Sequence, residues 1–150
     1  MSDFINKVIT IALIFILLVM APLLISYKTD EMIAKRQILN DVANFIDMVK
    51  DTGSLSQDNL DKLYIECNSY GIAVDVKVKR LIRTEIAKDG ESKTVYYSVD
   101  KVEELESMNK GDIIKVTVEE IGISTARRLA YNILKLDEGK FEFSLAGTVG

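Results

Sequence analysis

The sequence predicts an α+β fold, in which a long N-terminal membrane helix continues as an amphipathic helix packed on a four-stranded antiparallel sheet. Three observations predict it. Val8 to Tyr27, VITIALIFILLVMAPLLISY, runs for twenty residues without a charge. As a helix rising about 1.5 Å per residue, that run spans roughly the 30 Å of a bilayer's hydrocarbon core. The next stretch, KTDEMIAKRQILNDVANFIDMVKD, holds no glycine or proline before Gly53 and repeats apolar residues at spacings of three and four. Beyond Gly71, segments alternate apolar and polar residues with a period of two, separated by single glycines.

The apolar run is hydrophobic on all sides, so as a helix it faces lipid, or the helices of identical neighbours, all round. Thr10, Pro22 and Ser26 are its interruptions, and a late proline is tolerable where local adjustment takes up the freed carbonyl. A removable signal peptide fits less well. MSDFINK carries one lysine and one aspartate, the run exceeds the usual apolar length of about 7–15 residues, and no clean small-x-small pair follows. The helix is expected to run from about residue 4 to 51, with Pro22 its built-in kink and Gly53 its end. In the amphipathic half Ile38, Val42, Phe45, Ile46 and Val49 face a core while Asp41, Asn44, Asp47 and Lys50 face outward. Residues 1–27 thus form a transmembrane helix and residues 28–150 one soluble domain.

Ser54 with Gln57 fits a capping box, and Ser56 is a competing cap, for a second helix whose Leu60, Leu63, Tyr64 and Cys67 share one face. Ala73 to Ile86 reads as a strand with Val74, Val76 and Val78 inward against Asp75, Lys77 and Lys79. Asp89-Gly90 suits a hairpin turn, and TVYYSV returns from it. DKVEELESMNK is a helix-prone connection. Ile113 to Glu119 alternates again, with Ile114, Val116 and Val118 inward, and Ser124 caps a possible helix through Leu136. Phe141 to Ala146 makes the last strand, with Phe141 and Phe143 in the core.

Composition narrows the chemistry. A net charge of −4 without a cluster of lysines and arginines argues against nucleic acid. The chain has no histidine and one cysteine, Cys67, which excludes histidine-dependent triads and dyads, zinc sites and an internal disulfide. Cys67 reads as a small buried thiol. Ser107-x-x-Lys110 has nucleophile-pair spacing, but it lies in a polar connector that would not desolvate the lysine. Glu103, Glu104 and Glu106 lack the spacing of a calcium loop and read as a solvated face. The glycines are scattered singly, unlike a phosphate-cradling loop. No catalytic residue, metal site, cofactor or small-molecule substrate is expected.

The run from Phe45 to Val78 carries F-x-x-x-V-x-x-T-G-x-[IL]-[ST] at Phe45, Val49, Thr52, Gly53, Leu55 and Ser56, then G-x-x-x-D-V at Gly71, Asp75 and Val76. MNKGDIIKVTVEEI adds G-D-x-[IV]-x-V, and the chain closes with LAGTVG. Together with the apolar helix and its late proline, these segments resemble the TadE-like minor pilins and pseudopilins of Gram-positive bacteria. The resemblance implies a lollipop fold and a single-pass membrane protein with a cytoplasmic N-terminus and an extracytoplasmic domain. It implies a subunit of a type IV, Tad-like pilus or secretion apparatus. Partners would be the membrane, other pilin subunits met through the N-terminal helices, and an assembly platform. It points to Asp3, Phe4, Lys7 and Pro22 as assembly and membrane residues. Position 5 holds Ile5 where such pilins carry a glutamate, so Asp3 is the acid available for that role. Charge alone leaves orientation open, since Lys7 lies on one flank and Lys28, Lys35 and Arg36 on the other. The alternative reading is a membrane-tethered binding module that presents its sheet domain without polymerising.

Overall fold

The computed structural model describes residues 2–88, 91–99, 107–122, 128, 131 and 139–150. It shows an α+β fold with one long apolar N-terminal helix and an open four-stranded antiparallel sheet. Helix α1 covers Ser2–Phe15, a wider π-helical turn covers Ile16–Met20, and α2 covers Ala21–Thr52. Helix α3 (Gln57–Asn68) precedes strands β1 (Val74–Lys88), β2 (Glu91–Val99), β3 (Ile113–Glu120) and β4 (Glu142–Thr148). The chain divides into two compact units: residues 1–33 with 123–138, and residues 34–122 with 139–150.

In the second unit α2 ends because Gly53 takes φ +62, a left-handed conformation that costs a β-carbon-bearing residue. Its N–H still reaches the Val49 carbonyl at 2.9 Å, and its own carbonyl accepts from Met108 N–H at 2.9 Å. The cap of α3 is Ser56, whose hydroxyl accepts from Asn59 N–H at 3.3 Å. Ser54, the other candidate cap, instead pairs as an isolated antiparallel bridge with Ser107. Three segments therefore meet where α2 stops.

The sheet order is β2-β1-β3-β4, with every neighbour antiparallel. Val76 lies opposite Val118 and Val78 opposite Val116, so the inward residues of β1 and β3 form one apolar patch. Burial alternates strictly along β3. Against this patch α2 lays Ala34, Ile38, Val42, Phe45, Ile46 and Val49, all buried, with Leu60, Leu63 and Cys67 of α3 closing the side. The expected core residues Ile38, Val42, Phe45, Val49, Val74, Val76 and Val116 are all in it.

Four expectations are corrected. Phe141 and Phe143 are only half-buried, because Phe143 lies on the edge strand β4 and Phe141 just before it, where side chains lean on the core from one flank. Tyr64 is 38% exposed, since α3 contributes Leu60, Leu63 and Cys67 inward and turns Tyr64 toward solvent. Ser107 to Lys110 is not helical, because Ser107 is held in its bridge. The irregularity ascribed to Pro22 lies in the turn before it, as shown below. The expected turn at 89–90, the acidic cluster at 103–106 and most of the helix expected from Ser124 to Leu136 lie outside the described residues.

At Gly147 the helix side chains come close to the sheet backbone. A β-carbon there would drive into the Ile46 side chain, and lie 2.7 Å from Lys50 Cδ. Lys50 can swing aside, whereas Ile46 is buried and cannot. Gly147→Ala should therefore destabilise the domain by about 1–3 kcal/mol in urea unfolding, the usual cost of overpacking. An unchanged midpoint would mean that the helix does not rest on β4 there. Phe45→Ala should cost about 3–5 kcal/mol in the same assay. A loss below about 1 kcal/mol would remove Phe45 from the core.

Candidate functional site

The apolar helix returns its Thr10 and Thr29 hydroxyls to its own backbone. Every residue from Asp3 to Val19 is exposed, and its most apolar stretch has nothing buried inside the molecule. By length and composition it can cross a membrane once. Such a segment has to satisfy its own hydrogen bonds, because a lone polar group in hydrocarbon costs several kcal/mol, roughly the whole stability of a small domain. The Thr10 hydroxyl donates to the Asn6 carbonyl at 2.8 Å, and that of Thr29 to Ile25 at 2.9 Å.

Pro22 has no N–H to give one turn back, and its ring crowds the carbonyl four residues earlier. The chain answers by widening the preceding turn. Ala21 N–H reaches the Ile16 carbonyl, five residues back, across the π-helical segment Ile16–Met20. The helix is thus continuous from Asp3 to Thr52 despite its proline.

Among the expected assembly residues, Asp3 sits in the first turn of α1, where the helix dipole favours a negative charge. Asp3, Asn6, Lys7, Thr10 and Ile11 line one shallow depression on the helix surface. The first four, at spacings of three and four, make a polar stripe that enters the apolar run at Thr10. Phe4 is 73% exposed and is not among the residues of that depression. Pro22 belongs to the backbone adjustment just described, so the four residues serve different purposes.

The second unit contains a buried charged cluster whose members are not among the expected site residues. Asp112 is 1% exposed and Arg80 6%. The Arg80 guanidinium donates from Nε at 2.9 Å and from Nη2 at 2.5 Å to Asp112 Oδ2, and from Nη1 at 2.7 Å to the Ser107 carbonyl. Backbone N–H groups of Asn109 and Arg83 also donate to Asp112, at 3.0 and 3.1 Å. Burial pushes the Asp112 carboxyl up. The two N–H groups and the Arg80 cation outweigh it and hold the group below the usual carboxylate range. Gly111, at φ +94, lets the chain turn into this position, and a β-carbon there would meet Arg83 Cδ at 3.2 Å.

The cluster is structural chemistry. Ser107, once a candidate nucleophile, gives its carbonyl to Arg80 and its strand bridge to Ser54. Burial, then the Asp41 and Glu66 carboxylates, push the Cys67 thiol up to about 11, so it is not a thiolate near neutral pH. Tyr70 donates to Asp41 at 2.8 Å, which ties the segment after α3 to α2 and raises the phenol's pKa. Among the described residues no group of three or more Asp, Glu, Cys or His could hold a metal ion.

The sequence did carry a signal for the cluster. Counting inward positions by two from Val78 lands on Arg80, and back by two from Ile114 lands on Asp112. No family model, no curated protein and no solved structure matches this chain.

Asp112→Asn keeps the shape but removes the carboxylate charge that two guanidinium nitrogens of Arg80 bond, and should destabilise by about 3–5 kcal/mol. Because the native carboxyl lies below its unfolded value, the charged pair stabilises above that unfolded pKa, near 4. That stability is lost as pH falls through the native pKa. Stability measured against pH should therefore drop more steeply on acidification in the wild type than in Asp112→Asn. Parallel curves would remove the pair from the acid response.

Proposed function

We propose that this chain is a pilin-like subunit, a minor pilin or pseudopilin of a type IV, Tad-like pilus or secretion apparatus. Its helix waits in the membrane and then packs among the helices of identical or related subunits. The observation that carries the reading is one helix, Asp3–Thr52, whose first half is long and apolar enough to cross a membrane and whose second half is the buried spine of the domain. An anchor that merely tethers a domain has no need to be continuous with its core.

The helix surface adds support. Phe4, Ile11, Leu18, Ile25 and Met32 recur every seven residues and are each at least 60% exposed. Large apolar side chains exposed along the run leave a surface for lipid or neighbouring helices to cover. The motifs quoted above, which suggested the reading, hold residues with structural places in this domain. Thr52 and Gly53 end α2, Leu55 is buried, Ser56 caps α3, and Gly111-Asp112 builds the ion-pair cluster. In this reading the N-terminus is cytoplasmic and the domain extracytoplasmic.

Orientation is tested with the single cysteine moved. In a Cys67→Ser background, Ile65→Cys places a thiol at a position 71% exposed on α3. It should react with an impermeant thiol reagent on intact cells. Reaction only after lysis would place the domain in the cytoplasm and end the pilin reading.

Assembly is tested at Asp3. A carboxylate moved among neighbouring helices is costly alone and compensated beside the Lys7 or α-amine of an adjacent subunit. Asp3→Asn keeps size and polarity and removes the charge. The variant should insert in the membrane as the wild type does yet be lost from sheared surface filaments. Retention in filaments at the wild-type level would leave Asp3 as a plain headgroup-level residue. Absence of the wild-type protein from any filament would favour the tethered binding module.

A further inference from the structure

We draw no further inference here: the strongest candidate, the apolar face of Ile82, Ile86, Val95 and Tyr97 on the two-stranded ribbon by which β1 and β2 run on past the last β1–β3 pair at Leu81 and Ile113, carries nothing because nothing in the structure shows what covers it.

Discussion

The domain depends on one contact, the face of α2 from Ala34 to Val49 against the inner side of the sheet. An antiparallel sheet with a solvated outer face has a single apolar side to bury, and without a second layer its strands have little to hold them. Asp75, Lys77 and Glu119 occupy the outer face, where Lys77 bridges the two carboxylates at 3.2 and 3.3 Å, so among the described residues this part of that side holds no second core. Such exposed pairs contribute little. The inner side is made of valines and isoleucine at alternate positions, too short to fill a wide gap. The helix must therefore come close. Gly147 permits this on β4, while Lys35 lies 5.3 Å from the Phe141 ring centre and covers part of an edge residue that the helix backbone cannot reach.

Where the apolar inner face runs out, the Arg80–Asp112 pair takes over. Removing two ions from water costs several kcal/mol each, and their attraction repays it only when the remaining donors and acceptors are also met. Here they are met by backbone: two N–H groups on the carboxylate and the Ser107 carbonyl on the guanidinium. The placement has a structural consequence beyond charge. Asp112 accepts the Arg83 N–H two residues after the last β1–β3 pair that includes Leu81, and so replaces a ladder bond where β3 begins. A hydrophobic pair of equal volume would pack as well but would leave these backbone groups unpaired. The cluster thus fixes where β3 starts and holds the crossover from Ser107 to Gly111 beside the end of α2.

These features were legible to different degrees, for physical reasons. The valine alternation in β1 and β3 announced the strands because a period of two is a property of the strand itself. The same count places Arg80 and Asp112 inward, but the pairing of opposite charges across two strands appears only once the register is known. Glu120 repeats the lesson: it is inward by the same count, 3% exposed, and accepts the Phe141 N–H at 3.1 Å. Gly147 was not legible in its true role, because close approach depends on where a helix crosses a strand and not on local spacing. The half-burial of Phe141 and Phe143 was hidden likewise, since hydrophobicity gives the side of a strand but not whether the strand lies at the sheet's edge.

The apolar half of the helix poses the opposite problem from the core half. Core residues of α2 are buried by their own chain, whereas Ile11, Leu17 and Leu18 are each at least 67% exposed. Burying such side chains is worth about 1.5–3 kcal/mol apiece, so water is an unfavourable solvent for this segment. Lipid tails or other helices supply the alternative, and each demands internally satisfied backbone. The wide turn at Ile16–Met20 is the informative detail. A soluble helix can let water take the carbonyl freed by a proline, and has no need to move a hydrogen bond one residue back. This helix keeps Ala21 bonded to Ile16 and returns the threonine hydroxyls to their own carbonyls. That arrangement suits surroundings without water, as the length and composition of the stretch also do.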